Sequence, residues 1–188
     1  MISSAARGID PANWGERRGS ERQQTRSMTD TTRWDVDAAI LRRADTADAA
    51  NATDVLLGSR LAAAGSIPAP VHSDDEIYRW MQSVLIPHCE VWIAEAPDKS
   101  TLALLVLDED WIDQLYVRAE AAGLGIGSRL IELAKTRRPD GLQLRTFASN
   151  PGSQRFYERH GFVAVERSAG QANEEKQPDI RYVWTPAA

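Results

Sequence analysis

Residues 119–135, AEAAGLGIGSRLIELAK, place Gly123, Gly125 and Gly127 at alternate positions immediately before a helical pattern. A glycine-rich turn that runs into a helix offers unpaired backbone N–H groups and the positive end of the helix dipole, which together suit phosphate. Two familiar phosphate loops do not fit. A Walker A loop ends in Gly-Lys-Ser/Thr, whereas Gly127 is followed by Ser128 and Arg129. A dinucleotide fingerprint, Gly-x-Gly-x-x-Gly, needs glycine at 128, and LQLRTF (142–147) ends without the acidic residue that would hold a ribose. The reading without a ligand is that the glycines only let the helix pack closely. Elsewhere, His72, His88 and His160 match no metal-ligand spacing. Cys89 is the only cysteine. It lacks a nearby activating partner and reads as buried rather than nucleophilic.

The elements around this loop follow from periodicity and breakers. RWDVDAAILRRA (33–44) reads as a first strand, and TADAANATDVLLGSRLAAAG (46–65) as a helix that begins at a threonine and ends at a glycine. IPAPVH (67–72) is a proline-broken connector. Ser73 followed by Glu76 forms a capping box that opens a second helix over 73–85. CEVWIAEA (89–96), TLALLVL (101–107) and WIDQLYV (111–117), separated by PDKS and DED, read as an antiparallel meander. Ile126, Leu130, Leu133 and Ala134 then fall at helical spacing, so the glycine loop opens a helix. RRPDG ends it, and LQLRTF returns as a strand parallel to 111–117 through a crossover. Asn150 and Pro151 start another helix, which runs to His160 with Gly161 behind it. FVAVER and IRYVW close the chain as strands.

The 188 residues suffice for one domain with a real core, and 43% apolar with 26% charged residues is an ordinary soluble balance. A formal charge of −5 argues against nucleic acid as a partner, since phosphate neutralisation needs a basic excess. No run is long and apolar enough to cross a membrane. With a lone cysteine and no apolar signal core, the expected compartment is the cytoplasm. Residues 1–27 are polar and aperiodic and read as disordered, with the folded domain expected over about 31–188.

The segment LYV (115–117), four residues, then AGLGIGSRLIELA resembles the pyrophosphate motif of the GNAT superfamily of acyl-CoA N-acyltransferases, Gln/Arg-x-x-Gly-x-Gly/Ala. NPGSQRFYERHGF (150–162) resembles that superfamily's second signature, Asn-x-x-Ala-x-x-Phe-Tyr-x-x-x-Gly-Phe. The helix and strand between the two are also what that fold requires, and by element order the resemblance extends over about 33–185. Two positions depart from the pattern. Ala122 stands where Gln or Arg is usual, and Ala119 where a proline is common after the strand. Arg118 or Arg129 is a candidate to restore the lost charge.

The resemblance implies an α+β fold, with a mixed, mostly antiparallel central sheet, one splayed strand pair and helices on both faces. It implies acetyl-CoA as cosubstrate and direct transfer of the acetyl group to an amine, of a small molecule or peptide, in a ternary complex. The coenzyme would lie along Leu115, Tyr116 and Val117, with its pyrophosphate on Gly123, Gly125, Ile126, Gly127 and Ser128, and Asn150 on its arm. The Val117 N–H would stabilise the developing oxyanion. Tyr157 would protonate the departing thiolate; the competing reading is that Phe156 and Tyr157 only pack the core. Strand alternation puts Asp113 on one face with Trp111 and Leu115. Asp113 and then Glu95 are the candidate bases, each also readable as a solvated or paired carboxylate. Asp74, Asp75, Tyr78, Trp80 and Met81 would wall an acceptor pocket, and residues 173–179 would reach the same side. A homodimer is compatible with all of this. The rival class is a noncatalytic acyl-CoA-binding regulatory module, and a dinucleotide-dependent oxidoreductase ranks behind both. A chain starting at Met28 is expected to match the full chain in melting temperature and acetyl-CoA affinity. A fall of several degrees would show that the leader packs on the domain.

Overall fold

The computed structural model describes residues 38–187; the leader read as disordered lies outside them. The elements are β1 (Ile40–Arg43), α1 (Ala49–Ala62), α2 (Asp74–Trp80), α3 (Ile86–His88), β2 (Glu90–Glu95), β3 (Thr101–Asp108) and β4 (Trp111–Val117). They continue with α4 (Ile126–Arg137), β5 (Leu142–Phe147), α5 (Pro151–Arg159), β6 (Val163–Ser168) and β7 (Asp179–Trp184). One seven-stranded sheet has the order β1-β2-β3-β4-β5-β7-β6. Every neighbouring pair is antiparallel except β4 and β5, which the α4 crossover makes parallel. The expected α+β architecture is the observed one.

The sheet is centred on β3, whose residues Thr101–Leu107 are all buried. Their alternation divides the core into two clusters. Leu105 and Leu107 join a cluster with Ile126, Leu130, Phe156 and Tyr157 from α4 and α5. Leu104 and Val106 join the cluster with Val55, Leu56 and Ile77 from α1 and α2. An uninterrupted apolar run is what a central strand covered on both sides requires.

The local signals at helix starts act largely as read, with two differences. A 3-10 turn, Thr46–Asp48, precedes α1, and its cap is Asp45 rather than Thr46: the Asp45 carboxylate accepts from the Ala47 N–H, and the Asp48 side chain accepts from the Asp45 N–H. The helix expected over 73–85 continues to His88, through a π-helical turn at Met81–Leu85. Pro87 explains that turn. It lacks an N–H, and its ring would meet the carbonyl four residues back, so the coil widens before it rather than stopping. At the start of α2 the Ser73 hydroxyl accepts from the Glu76 N–H, and the Glu76 carboxylate accepts from the Ser73 N–H at 2.8 Å.

One irregularity changes a face assignment. β3 and β4 pair Val106 with Gln114 and Leu107 with Ile112, so Asp113 is an extra residue in a bulge. Alternation therefore fails across it. Ile112, not Asp113, shares the cluster of Leu115, and the Asp113 carboxylate meets the Gln114 side-chain amide at 3.2 Å. Ser73→Ala, which removes half of the α2 capping box, should cost about 1 kcal/mol. Thermal melting should show it as a midpoint lowered by about 2–4 °C.

Candidate functional site

β4 and β5 are in register only at Trp111 and Gln143, where the Gln143 N–H donates to the Asp110 carbonyl at 2.9 Å. Beyond that point the strands part. Pairing with β3 decides which β4 groups face the opening. The Arg118 N–H donates to the Leu102 carbonyl at 2.8 Å, which makes Val117 and Ala103 a pair without direct hydrogen bonds. By alternation the peptide groups of Leu115 and Val117 point away from β3 into the gap, while those of Tyr116 are taken by Leu104. Of the three residues expected to offer an edge, only Leu115 and Val117 do. The Val117 carbonyl accepts from the Ser59 hydroxyl at 2.5 Å, so α1 pins the strand where it is open.

A cleft of about 320 Å³ continues from this gap, lined among others by Val117, Gly123, Gly125, Ser128, Phe156 and Arg159. Gly123 and Gly125 have φ of +78° and +88°, a region that disfavours side chains. A Cβ built on either would meet no protein atom within 4 Å. Close helix packing is therefore not what these glycines serve; the turn and the open face in front of it are. Gly125 caps α4 without a side-chain hydrogen bond, so the cap residue itself leaves the amides of Ile126, Gly127 and Ser128 unbonded. The Ile126 side chain itself belongs to the core, leaving only its backbone to serve the cleft.

The helix α5, whose Gly152, Phe156 and Arg159 line the cleft, also carries two buried polar groups. The Asn150 carbonyl oxygen accepts from the Ser153 N–H at 3.1 Å, capping the helix, while its Nδ2 is buried without a partner. Tyr157 is fully buried, edge-on to Phe156 and Phe162 with ring centroids 5.3 and 5.7 Å away. Its hydroxyl, too, is buried without a hydrogen-bond partner. Burial, with a smaller contribution from Tyr116, pushes the Tyr157 phenol far above its usual range. A buried polar atom left unpaired costs about 1–3 kcal/mol, and native folds carry few of them. Two on one short helix, at the positions the second motif singles out, have no packing explanation.

The carboxylates separate. Glu95 is gripped by Lys99 at 2.8 Å and by Arg42 at 2.8 and 2.5 Å. These two cations hold its carboxyl below the usual range, which makes it a weak base. Asp113, 5% exposed, lies on the strand that borders the gap. The cations separate as well. Arg118 donates to the Thr101 carbonyl at 2.6 Å and Arg129 to the Ala39 carbonyl at 2.7 Å. Neither is placed as the substitute for the missing side chain at Ala122. Arg159, which the sequence reading passed over, is exposed and lines the cleft. Its signal was present: a cation two residues after the motif tyrosine, on the same helix end.

At the other end of the gap, the β6–β7 loop reaches the α1–α2 segment. Arg60, buried, donates to Glu175 at 2.9 Å and to the Pro68 carbonyl at 3.1 Å, and a His72 ring nitrogen lies 3.1 Å from Glu174. Asp74 and Asp75 are exposed here. Met81, expected in an acceptor wall, is fully buried in the α1–α2 cluster, with Tyr78 and Trp80 packed against it. The turn of α2 that carries these residues faces the sheet, not the opening. Cys89 is half-buried at the margin of the same cluster, less enclosed than expected. No helix among the described residues is long and apolar enough to cross a membrane.

Residues 87–164 match the family model described as the acetyltransferase (GNAT) domain. The likeness to that domain lies in these residues of the chain. The match runs from the end of α3 into β6, and so contains the open strand pair, the glycine loop and α5. A curated relative, the peptidyl-lysine N-acetyltransferase YjaB of Salmonella typhimurium, is 29% identical over 86 residues. That stretch is 46% of this chain and 59% of the relative. Among solved structures, apo YjaB from Escherichia coli superimposes with a TM-score of 0.65 at 19% identity, over 79% of this chain and 99% of that one. A spermidine N-acetyltransferase SpeG chimera from Vibrio cholerae and hSSAT gives 0.60 at 20% identity, over 79% of this chain and 95% of that one. At such identities the likeness is one of fold.

Among the described residues Arg159 is the cation that lines the cleft, and its part is open to a direct test. Arg159→Glu should weaken acetyl-CoA binding by about tenfold, about 1.4 kcal/mol. Titration calorimetry reads the affinity, and far-ultraviolet circular dichroism should be unchanged because the side chain is exposed.

Proposed function

We propose that the protein is an acetyl-CoA-dependent N-acetyltransferase that passes the acetyl group directly to an amine, with both substrates bound together. The observation that carries this reading is the pair of unpartnered buried polar atoms, Asn150 Nδ2 and Tyr157 Oη, at the helix whose Gly152, Phe156 and Arg159 line the cleft. The opening supplies backbone partners for an extended amide-bearing arm, at Leu115 and Val117. The loop of Gly123 to Ser128 supplies amides for a pyrophosphate, and Arg159 a counter-charge.

The amine nitrogen attacks the thioester carbonyl carbon and forms the new C–N bond. The carbonyl oxygen takes up the electron pair, and the Val117 N–H donates to it. Collapse breaks the C–S bond and releases the coenzyme as a thiolate. A thiol ionises near ~8.5, below an ordinary phenol at ~10, and burial raises the Tyr157 phenol further. Complete proton transfer from Tyr157 to the thiolate is therefore uphill. Tyr157 acts foremost by donating a hydrogen bond that stabilises the leaving sulfur, and the proton shed by the amine balances the charge. Glu95 is held by Arg42 and Lys99 and Asp113 is turned by its bulge off the face of Leu115, so the amine sheds that proton to solvent.

The acceptor is a primary amine, and a lysine side chain is the form favoured by the similarity to a peptidyl-lysine N-acetyltransferase. The exposed Asp74 and Asp75 at the start of α2 suit its positive charge before it is deprotonated.

Tyr157→Phe provides the test. It removes a hydroxyl that is buried without a partner, so the variant should melt at the same temperature as wild type or higher. With any accepted amine, thiol release should show kcat lowered by ~10²-fold, the scale for loss of one preorganised hydrogen-bond donor, with acetyl-CoA binding nearly intact. Unchanged kcat would remove Tyr157 from the chemistry. Tight acetyl-CoA binding without turnover across an amine panel would favour a regulatory acyl-CoA-binding module.

A further inference from the structure

His160 closes α5 and links it to the start of α4. One ring nitrogen, Nδ1, lies 2.8 Å from the Phe156 carbonyl oxygen, and the other, Nε2, lies 2.9 Å from the Ser128 hydroxyl. The ring also lies against Phe156, with centroids 4.4 Å apart. Ser128 and Phe156 both line the cleft. His160 therefore stands directly behind two residues of the surface on which the proposed function places the pyrophosphate.

The partners fix where the protons sit. A carbonyl oxygen can only accept, so Nδ1 carries a hydrogen. In the neutral ring Nε2 is then a bare lone pair, and the Ser128 hydroxyl spends its only proton on it. The serine oxygen is left with lone pairs alone for the cleft, which repel a phosphate oxygen. When the ring takes up a second proton, Nε2–H donates to the serine oxygen instead. The Ser128 hydroxyl hydrogen is released to turn toward the anion, and a positive charge stands one hydrogen bond behind it.

We propose that His160 is a positioning residue for the coenzyme's pyrophosphate, turning the Ser128 hydroxyl from acceptor to donor when its ring is protonated. The inference rests on the proposed acetyl-CoA site. Anion binding and ring protonation then favour one another, and linkage sets the sign. Binding raises the affinity of the ring for its proton, so the coenzyme binds most tightly at low pH and loses affinity as pH rises through the histidine range.

The neighbouring charges do not supply the same dependence. Arg159 lines the cleft beside His160 and stays cationic throughout. On α4, Arg129 is bonded to the Ala39 carbonyl, and Glu132 pairs with Lys135 at 3.4 Å. Lys135 lies over the Trp184 ring on β7, 5.1 Å from its centroid. Glu158 accepts from the Tyr182 hydroxyl at 3.0 Å. Among the described residues no carboxylate pairs with His160.

The probe is dephospho-coenzyme A, whose pyrophosphate diester has no proton to exchange between pH 6 and pH 8, unlike the 3′-phosphate of coenzyme A. Calorimetry on the wild-type protein should show Kd tightening by about fivefold from pH 8 to pH 6, for an anion that prefers the imidazolium form about tenfold. Near pH 7, buffers of different ionisation enthalpy should report net proton uptake on binding. Ser128→Ala, which leaves the histidine in place, and His160→Leu, which removes it, should each bind with a flatter pH profile and no proton uptake. A flat wild-type profile, or an unchanged slope in Ser128→Ala, overturns the inference while leaving the acetyl-CoA site standing. So does binding of acetyl-CoA without binding of dephospho-coenzyme A. Binding of neither overturns the site itself. Loss of fold in His160→Leu shifts the decision to Ser128→Ala, where the serine contributes no core packing.

Discussion

Everything at the site depends on two parallel strands holding together at one pair and then separating. A parallel ladder normally satisfies its own peptide groups along its length. Here β4 is satisfied on the β3 side, and beyond Trp111 its other edge is open. The surroundings keep the opening from closing. The Asp113 bulge shifts the strand's phase just before it, Ser59 of α1 holds the Val117 carbonyl, and the crossover through the glycine loop and α4 sets where β5 can return. The loop and α5 then converge on the same opening because each begins where one of the separated strands ends.

This arrangement makes the division of labour between side chains and backbone unusually clear. On the proposed function, recognition of the coenzyme would fall mainly to peptide groups: Leu115, Val117 and the amides at the start of α4. Side chains would enter where charge or a proton must be managed, at Arg159, Tyr157 and the His160–Ser128 pair. That would explain how the domain tolerates Ala122 in place of a usual polar residue. A backbone cradle survives loss of one side chain, and the cation facing the cleft comes from the end of α5 instead.

Much of the fold was legible because its signals are local. The Ser73–Glu76 capping box, the cap at Asn150, the turn at Gly161 and the apolar run of β3 each follow from residues close in sequence. The glycine loop was legible as a turn that opens α4 for the same reason. The misreadings share one cause, which is that they depend on partners distant in the chain. Asp113 faced the wrong way because a bulge is defined by the opposite strand. Glu95 read either as a base or as a paired carboxylate, and what decides for the pair is Arg42, 53 residues away. Met81 looked like a pocket wall because helical pattern alone does not say which turn of α2 meets the sheet. Arg118, Arg129 and Arg159 are alike in sequence, and only the fold tells which of them faces the cleft.

The unpaired Asn150 amide and Tyr157 hydroxyl have a consequence for the protein's lifetime in the cell. On the proposed function, the empty domain carries an internal deficit, and the coenzyme that pairs these atoms stabilises the fold by mass action. Molecules without coenzyme would then visit open, protease-sensitive states more often than loaded ones. The amount of this protein would rise and fall with the acetyl-CoA supply through turnover alone, with no change in its synthesis.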